Sequence, residues 1–368
     1  MRAGIQADDL TGACDTGAVF AARGLRTVVL LPDAPLPSPT PAVLVLDSES
    51  RGEPAGEARA RARAAAARLA ALRPALLYKK VDSTLRGEIA AELLGILEGA
   101  GAGRALVAPA LPRQRRTVVD GVLRVDGQRA GATAIARDPR FPPTGDAVLA
   151  LLGAGGLHPA GLVALATVRR GAPAVAARLG RDAASLVCDA ETDADLAVLA
   201  EAVEGVPALL AGSAGLAAAL AARMPAEHRP PRPEPRRPLL VVAGSAHPVT
   251  RTQVARLQAR GSSAVLTAPA ETIASPGGRA AIVGRLAAAA RQAIERTPPG
   301  TLLLTGGETA YSVCRALGAA GIALAGEVEP GLAIGALLGG PFAGLTVITK
   351  AGGFGDPETL ARIDEALT

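Results

Sequence analysis

Short apolar runs alternate along this chain with longer stretches of helical character. The runs Thr27–Leu31, Val43–Leu46, Ala75–Tyr78, Ala105–Ala108, Leu239–Ala243, Ala264–Thr267, Thr301–Thr305 and Thr346–Thr349 show little polar alternation. That pattern suits strands buried on both faces. Helical stretches cover Ala13–Arg23, Glu57–Leu72, Ile89–Leu97, Leu196–Val203, Thr250–Arg260, Arg279–Arg296 and Pro357–Leu367. Strand–helix alternation over this length predicts an α/β fold of mainly parallel sheets covered by helices. The segment Arg223–Pro238, RMPAEHRPPRPEPRRP, breaks the pattern. Its prolines exclude helix and central strand, and its charge excludes a core. The expected organisation is therefore a domain over residues 1–225, a connection over 226–238 and a domain over 239–368. Val122–Val125 and Gln128–Arg129 read as a hairpin, because Asp126-Gly127 suits a type I′ turn. The stretch Asp138–Gly145 reads as a loop. No internal repeat stands out.

Composition narrows the function. The 368 residues are 49% hydrophobic and only 2% aromatic, without Trp. Leu, Val and Ala must build the cores, and stacking platforms for bases are nearly absent, which argues against a nucleic-acid partner. The net charge of +5 comes mostly from Arg scattered along the chain, as on a solvated surface. The spacing of Cys14, Cys188 and Cys314 supports neither a disulfide framework nor a zinc site, so no metal ligands are expected. Neither a signal peptide nor a membrane-spanning run is visible. The expectation is a soluble, cytoplasmic protein without a membrane partner.

Several strand ends carry chemistry. Ala7-Asp8-Asp9-Leu10-Thr11-Gly12 follows a short apolar start and opens a helix. Adjacent carboxylates there are costly unless they meet a cation, a hydroxyl or a donor. Capping by Asp9 or Thr11 explains one of them. Lys79-Lys80-Val81-Asp82-Ser83-Thr84-Leu85-Arg86-Gly87 also leaves a strand. A helix starting at Ser83 or Thr84 would offer an anion site, helped by Lys80 and Arg86. Lys79, Lys80 and Lys350 are the lysines of a chain whose other basic residues are all Arg. A compact ammonium is not replaced by guanidinium in a tight anion pocket. In the last third, Gly244-Ser245, Thr305-Gly306-Gly307-Glu308-Thr309 and Lys350-Ala351-Gly352-Gly353 follow predicted strands. Such turns let backbone amides approach a phosphate. His247, before a helix-opening Pro248, reads as a surface or capping residue. Walker-type, dinucleotide and protein-kinase motifs are missing.

These segments, with Ala108–Leu123, Gly326–Gly335 and Thr349–Asp356, resemble the four-carbon acid sugar kinases across nearly the whole chain. The resemblance implies a sugar-acid-binding N-terminal domain, an ATP-binding C-terminal domain and a ligand cleft between them. It implies phosphorylation of the terminal hydroxyl of an acid such as D-threonate, D-erythronate or 4-hydroxythreonate, with 3-oxo-tetronate as an alternative. By motif position it puts the sugar acid at Asp9, Arg51, Lys80, Val81, Asp82 and Ser83, to which the strand-end chemistry adds Asp8, Thr84 and Arg86 as candidates. It puts ATP at Ser245, Gly306, Gly307, Glu308, Thr309 and Gly353, to which the glycine-turn reading adds Lys350 and Gly352. Cys14 and Glu308 depart from the residues common in the family, and the chain is shorter than its typical members.

The expected chemistry is phosphoryl transfer, which needs alignment and charge neutralisation more than covalent help. Arg51, Arg86 and Ser83 are expected to hold the acid. Asp9 or Asp82 would deprotonate its hydroxyl, Lys80 would offset phosphate charge, and Mg²⁺ would arrive with ATP. The rivals are a sugar-acid phosphate dehydrogenase or aldolase, disfavoured by the missing nucleotide fingerprint, and a non-catalytic sugar-acid-binding protein. Oligomeric state stays open, with a homodimer among the options.

Overall fold

The computed structural model describes residues 1–367 except 139, 140, 143, 182, 183, 207, 227–232 and 268–277. Much of the predicted connection and part of the predicted 138–145 loop thus lie outside the described residues. The chain runs through β1 (Ala3–Ala7), α1 (Leu10–Ala21), β2 (Thr27–Leu30), β3 (Val43–Asp47), α2 (Ala55–Ala71), β4 (Leu76–Lys80), α3 (Ile89–Ala100) and β5 (Ala105–Ala108). There follow β6 (Arg116–Val119), β7 (Val122–Val125), β8 (Gln128–Arg129), α4 (Val148–Ala154), β9 (Gly161–Val163), α5 (Leu165–Val168), α6 (Ala172–Arg181) and β10 (Leu186–Cys188). Next are α7 (Asp193–Ala202), β11 (Leu209–Gly212), α8 (Ala214–Arg223), β12 (Leu239–Ala243), α9 (Pro248–Arg260), β13 (Ala264–Thr267) and α10 (Gly278–Arg296). The last are β14 (Thr301–Thr305), α11 (Gly307–Ala316), β15 (Gly321–Glu329), β16 (Leu332–Leu338), β17 (Thr346–Lys350) and α12 (Thr359–Glu365). Among the described residues, no helix is long and apolar enough to cross a membrane.

Two compact units result: Met1–Asp8 with Ala42–Ala226, and Asp9–Pro41 with Glu227–Thr368. The segment Asp9–Pro41, placed by the sequence reading with residues 1–225, groups with the C-terminal residues. Its helix explains why: every residue of α1 is buried, and its contacts include β15, β16, β17 and α11.

The first unit has a parallel sheet in the order β9-β10-β5-β11-β4-β1-β3. β1, β3 and β5 are wholly buried, as the unalternating apolar runs of β3 and β5 predicted. α3 lies close on α2 because a Cβ on Gly95 would stand 2.2 Å from the Arg59 carbonyl oxygen, and one on Gly99 2.3 Å from that of Arg63. The foreseen hairpin is present as β7–β8, with Asp126 at φ 53° and Gly127 at φ 79°. Asp189 holds the adjoining β6–β7 turn: its carboxylate accepts from the amides of Asp120 at 2.9 Å and Gly121 at 2.9 Å.

The second unit has parallel strands in the order β13-β12-β14-β17. These continue into antiparallel β16, β15 and β2. The β15–β16 hairpin escaped the sequence reading because Gly326 and Gly335, with the polar Glu327 and Glu329, interrupt its apolar run. Leu239, Val241, Leu257, Leu303, Ile348 and Leu360 form part of its core.

Candidate functional site

In the first unit, charge gathers after the C-terminal ends of β1, β3 and β4, where open α/β sheets present ligands. Asp8 follows β1. Arg51, after β3, grips it with a fork: Nε lies 2.6 Å from Oδ2 and Nη2 2.8 Å from Oδ1. Gly87, at φ +88°, lets Arg51 pass, since a Cβ there would stand 3.2 Å from the Arg51 Cγ. Burial pushes the Asp8 carboxyl up, but the charge of Arg51, with Lys79 and Lys80, outweighs it and holds the group at about 2. Asp82 accepts from Arg86 Nε at 2.7 Å and from the amide and hydroxyl of Thr84 at 2.8 and 2.9 Å. Arg51 Nη1 stands 3.5 Å away. Burial raises this carboxyl too, yet Arg86, Arg51 and Lys80 hold it well below the usual range.

Lys80 differs from these. Alternation along β4 sends Lys79 and Lys80 to opposite faces. Lys80 is 5% exposed and lowers the pKa of both Asp8 and Asp82. Among the described residues it forms no hydrogen bond or ion pair, because Arg51 and Arg86 already occupy both carboxylates. A buried ammonium in that state is prepared for an anion.

The helix expected at Ser83 or Thr84 begins at Ile89 instead. Leu85 at φ 61° and Gly87 at φ 88° divert the backbone, so neither hydroxyl caps a helix. The Ser83 hydroxyl accepts from Arg116 Nη1 at 3.0 Å. Val81 contributes backbone, its amide donating to the Gly212 carbonyl at 2.6 Å. A cavity of about 350 Å³ adjoins Arg51, lined also by Gly87, Glu88, Phe141, Pro142 and Thr144.

In the second unit the three glycine turns converge at the ends of β12, β14 and β17, which are neighbours in the sheet. A Cβ on Gly352 would stand 2.1 Å from the Ser245 Oγ, one on Gly353 3.1 Å from the His247 ring, and one on Gly244 2.1 Å from the Thr309 Oγ1. Gly306, at φ +98°, adjoins Ser245 and opens α11, with Glu308 in its first turn. His247 caps α9 ahead of Pro248. Lys350 is wholly buried, and its ammonium donates to the carbonyls of Ala351 at 3.0 Å, Gly352 at 3.2 Å and Phe354 at 3.0 Å. It fixes the turn's shape; burial pulls its pKa down to about 7.

Asp9 belongs with these turns. It caps α1, its Oδ1 accepting from the Gly12 amide at 2.8 Å and its Oδ2 from the Thr11 hydroxyl at 3.0 Å. A Cβ on Gly307 would lie 2.4 Å from that Oδ2. The carboxylate therefore stands at the positive N-terminus of α11 as well as α1.

The chain matches the family models of a sugar-binding N-terminal domain over residues 3–220 and a nucleotide-binding C-terminal domain over residues 272–360. It is 36% identical to a D-threonate kinase of Bordetella bronchiseptica, covering 99% of this chain and 97% of the relative. It is 32% identical to a D-threonate kinase of Salmonella typhimurium, covering 98% and 97%. The chain belongs to the four-carbon acid sugar kinase family. A solved Bordetella bronchiseptica structure, a domain-swapped dimer with bound citrate, is 33% identical and aligns over 100% of this chain and 98% of its own, with a TM-score of 0.54.

Against this family, the residues that sequence reasoning missed are instructive. Arg116 lies inside a stretch that carried the resemblance, but only the fold shows it meeting Ser83. Ser50 and Glu92 gave no signal. Gln253 and Thr250 on α9 secure the last glycine turn, donating to the carbonyls of Phe354 at 3.1 Å and Gly352 at 2.7 Å.

Proposed function

We propose that this protein is an ATP-dependent kinase that phosphorylates the terminal hydroxyl of a four-carbon sugar acid, with D-threonate the leading substrate. The observation that carries the reading is the buried Lys80 ammonium, which forms no side-chain hydrogen bond or ion pair among the described residues although it acts on two carboxylates already held by Arg51 and Arg86. A binding protein for a neutral sugar has no use for it; a site that meets an anion does. The full-length relatives named D-threonate kinases and the citrate bound by a relative, itself a hydroxy acid, point to the same substrate class.

Arg51, Arg86 and Ser83 would hold the acid, and Lys80 would offset charge as the phosphoryl group transfers. Phosphates would lie on the amides of Gly306–Thr309 and along Ser245, Gly352 and Gly353, where added side-chain atoms would collide. Lys350 would shape this cradle rather than touch the nucleotide. Mg²⁺ would shield phosphate charge, held by phosphate oxygens and water with few protein ligands. Of the two candidate bases, Asp82 is held by Arg86 at 2.7 Å, with Arg51 3.5 Å away. Asp9 is the one left to orient and deprotonate the hydroxyl, a role compatible with a loose transition state that demands little basicity.

Purified protein incubated with ATP, Mg²⁺ and a panel of D-threonate, D-erythronate, 4-hydroxythreonate and 3-oxo-tetronate should consume ATP with D-threonate in the panel's highest kcat/KM. No turnover with any of them defeats the reading. Asp9→Asn keeps a good helix cap and should lower kcat by roughly 10²–10⁴-fold, the range for a lost general base. Preserved turnover removes Asp9 as base.

A further inference from the structure

Beneath Asp8 and Arg51 lies a second charged layer that the chemistry above does not use. Lys79, on the face of β4 opposite Lys80, is 0% exposed, and Glu92, in the first turn of α3, is 1% exposed. Lys79 Nζ stands 2.7 Å from Glu92 Oε2. The other carboxylate oxygen accepts the Ser50 hydroxyl. Ser50 Oγ lies 2.7 Å from Ser48 Oγ, which accepts from Gln6 Nε2 at 2.6 Å. The chain of contacts ends in the backbone of the site: the amides of Ser50 and Arg51 donate to the Asp8 carbonyl at 3.0 and 3.2 Å.

A core ion pair is a poor way to gain stability. Desolvating both charges offsets most of their attraction, and apolar residues of equal volume commonly serve as well or better. The helix dipole favours an acid in the first turn of α3, but an exposed Glu would satisfy it. What an apolar pair cannot do is fix the Ser50 hydroxyl, one residue before Arg51, in a single rotamer. We infer that Glu92, braced by Lys79, is a positioning residue that sets the Arg51–Asp8 geometry through Ser50 and so governs affinity for the sugar acid. This rests on the functional reading above in taking Arg51 as an acid-binding residue.

Two variants test it, each measured for turnover and for direct calorimetric binding of D-threonate without nucleotide. Lys79→Met combined with Glu92→Leu removes both charges and keeps volume, so no buried charge is stranded. Ser50→Ala leaves the ion pair intact and cuts its link to the site, and it carries the test if the double variant does not fold. The expected result is a KM and Kd for D-threonate raised by roughly tenfold, the scale of one lost charge-assisted hydrogen bond. The KM for ATP should stay at its wild-type value in both, while the melting temperature should fall in Ser50→Ala, which leaves one Glu92 oxygen without its donor. Folded variants with wild-type affinity for D-threonate overturn the inference, as does an equal rise in both KM values. Wild-type protein that binds D-threonate without turning it over defeats the functional reading and leaves this inference standing on the binding arm.

Discussion

The two units differ in what they gather at their strand ends. The first unit gathers side-chain charge: Asp8, Asp82, Lys80, Arg51 and Arg86 cluster at strand ends, and guanidiniums hold the carboxylates, so that among the described residues the Lys80 ammonium forms no side-chain hydrogen bond or ion pair. The second unit gathers space. Its turns meet where Gly244, Gly307 and Gly352 bring backbone against Thr309, Asp9 and Ser245, and its one buried lysine spends its donors on the turn itself. A charge site is stereochemically particular and suits a small acid whose hydroxyls and carboxylate must be told apart. A glycine cradle grips phosphate through amides and is indifferent to what the phosphate is attached to.

If that division is right, the first unit should fail by charge and not by volume. Lys80→Met preserves length and most of the packing. It should lower kcat by about 10²–10³-fold, the loss expected for one preorganised electrostatic contact. The fold should survive, because Asp8 and Asp82 keep their guanidiniums and lose only the longer-range charge of Lys80. Steady-state kinetics and a thermal melt decide it. Wild-type kcat in this variant would erase the distinction between the two sites.

The second unit should fail by volume. Gly307→Ala changes no charge, yet its Cβ would lie 2.4 Å from the Asp9 Oδ2 and 3.1 Å from its Cγ. The carboxylate must shift, and displacements near 1 Å cost on the order of 10²-fold in rate. Stopped-assay kinetics should show the loss mainly in kcat and in KM for ATP, with D-threonate affinity retained. If instead acid affinity collapses and ATP affinity holds, the Gly306–Thr309 turn helps to hold the acid and its assignment to phosphate is wrong.

These contrasts also explain what the sequence made legible. Buried strands and glycine turns announce themselves locally, so most of the parallel strands and the turns at Gly244, Gly306 and Gly352 could be read directly, whereas the short β9, β10 and β11 were not. Lys80 was legible because lysine is scarce in this chain. Its neighbour Lys79 is the same residue type, and only the alternation of β4 separates the lysine acting on Asp8 and Asp82 from the one paired with Glu92 in the core. Asp8 and Asp9 were likewise one motif in sequence, yet one pairs with Arg51 and the other caps α1. The grouping of Asp9–Pro41 with the C-terminal residues was illegible, because a helix buried on every side carries no periodic face to reveal its partner.

A smaller effect sharpens the charge half. Arg51→Lys keeps the cation and loses the fork on Asp8, together with the approach to Asp82. Guanidinium geometry, not charge alone, is then the variable. The KM for D-threonate should rise roughly tenfold, the worth of one charge-assisted bond, with the KM for ATP unchanged. A variant equal to wild type would mean that charge suffices at this position.

The smallest expected effect separates two uses of glycine. Gly127 differs from the cradle glycines: nothing lies within 4 Å of a Cβ added there, but its φ is +79° in the β7–β8 turn. Gly127→Ala should therefore cost only the strain of a left-handed non-glycine residue, about 1 kcal/mol, seen as a lower melting temperature with kinetics intact. The same sheet begins at Arg116, whose guanidinium reaches Ser83 beside Lys80. A loss of D-threonate affinity in the folded Gly127→Ala variant would thus carry its own meaning: the register of this hairpin, anchored by Asp189 at its other turn, would be transmitted through Arg116 to the charged site.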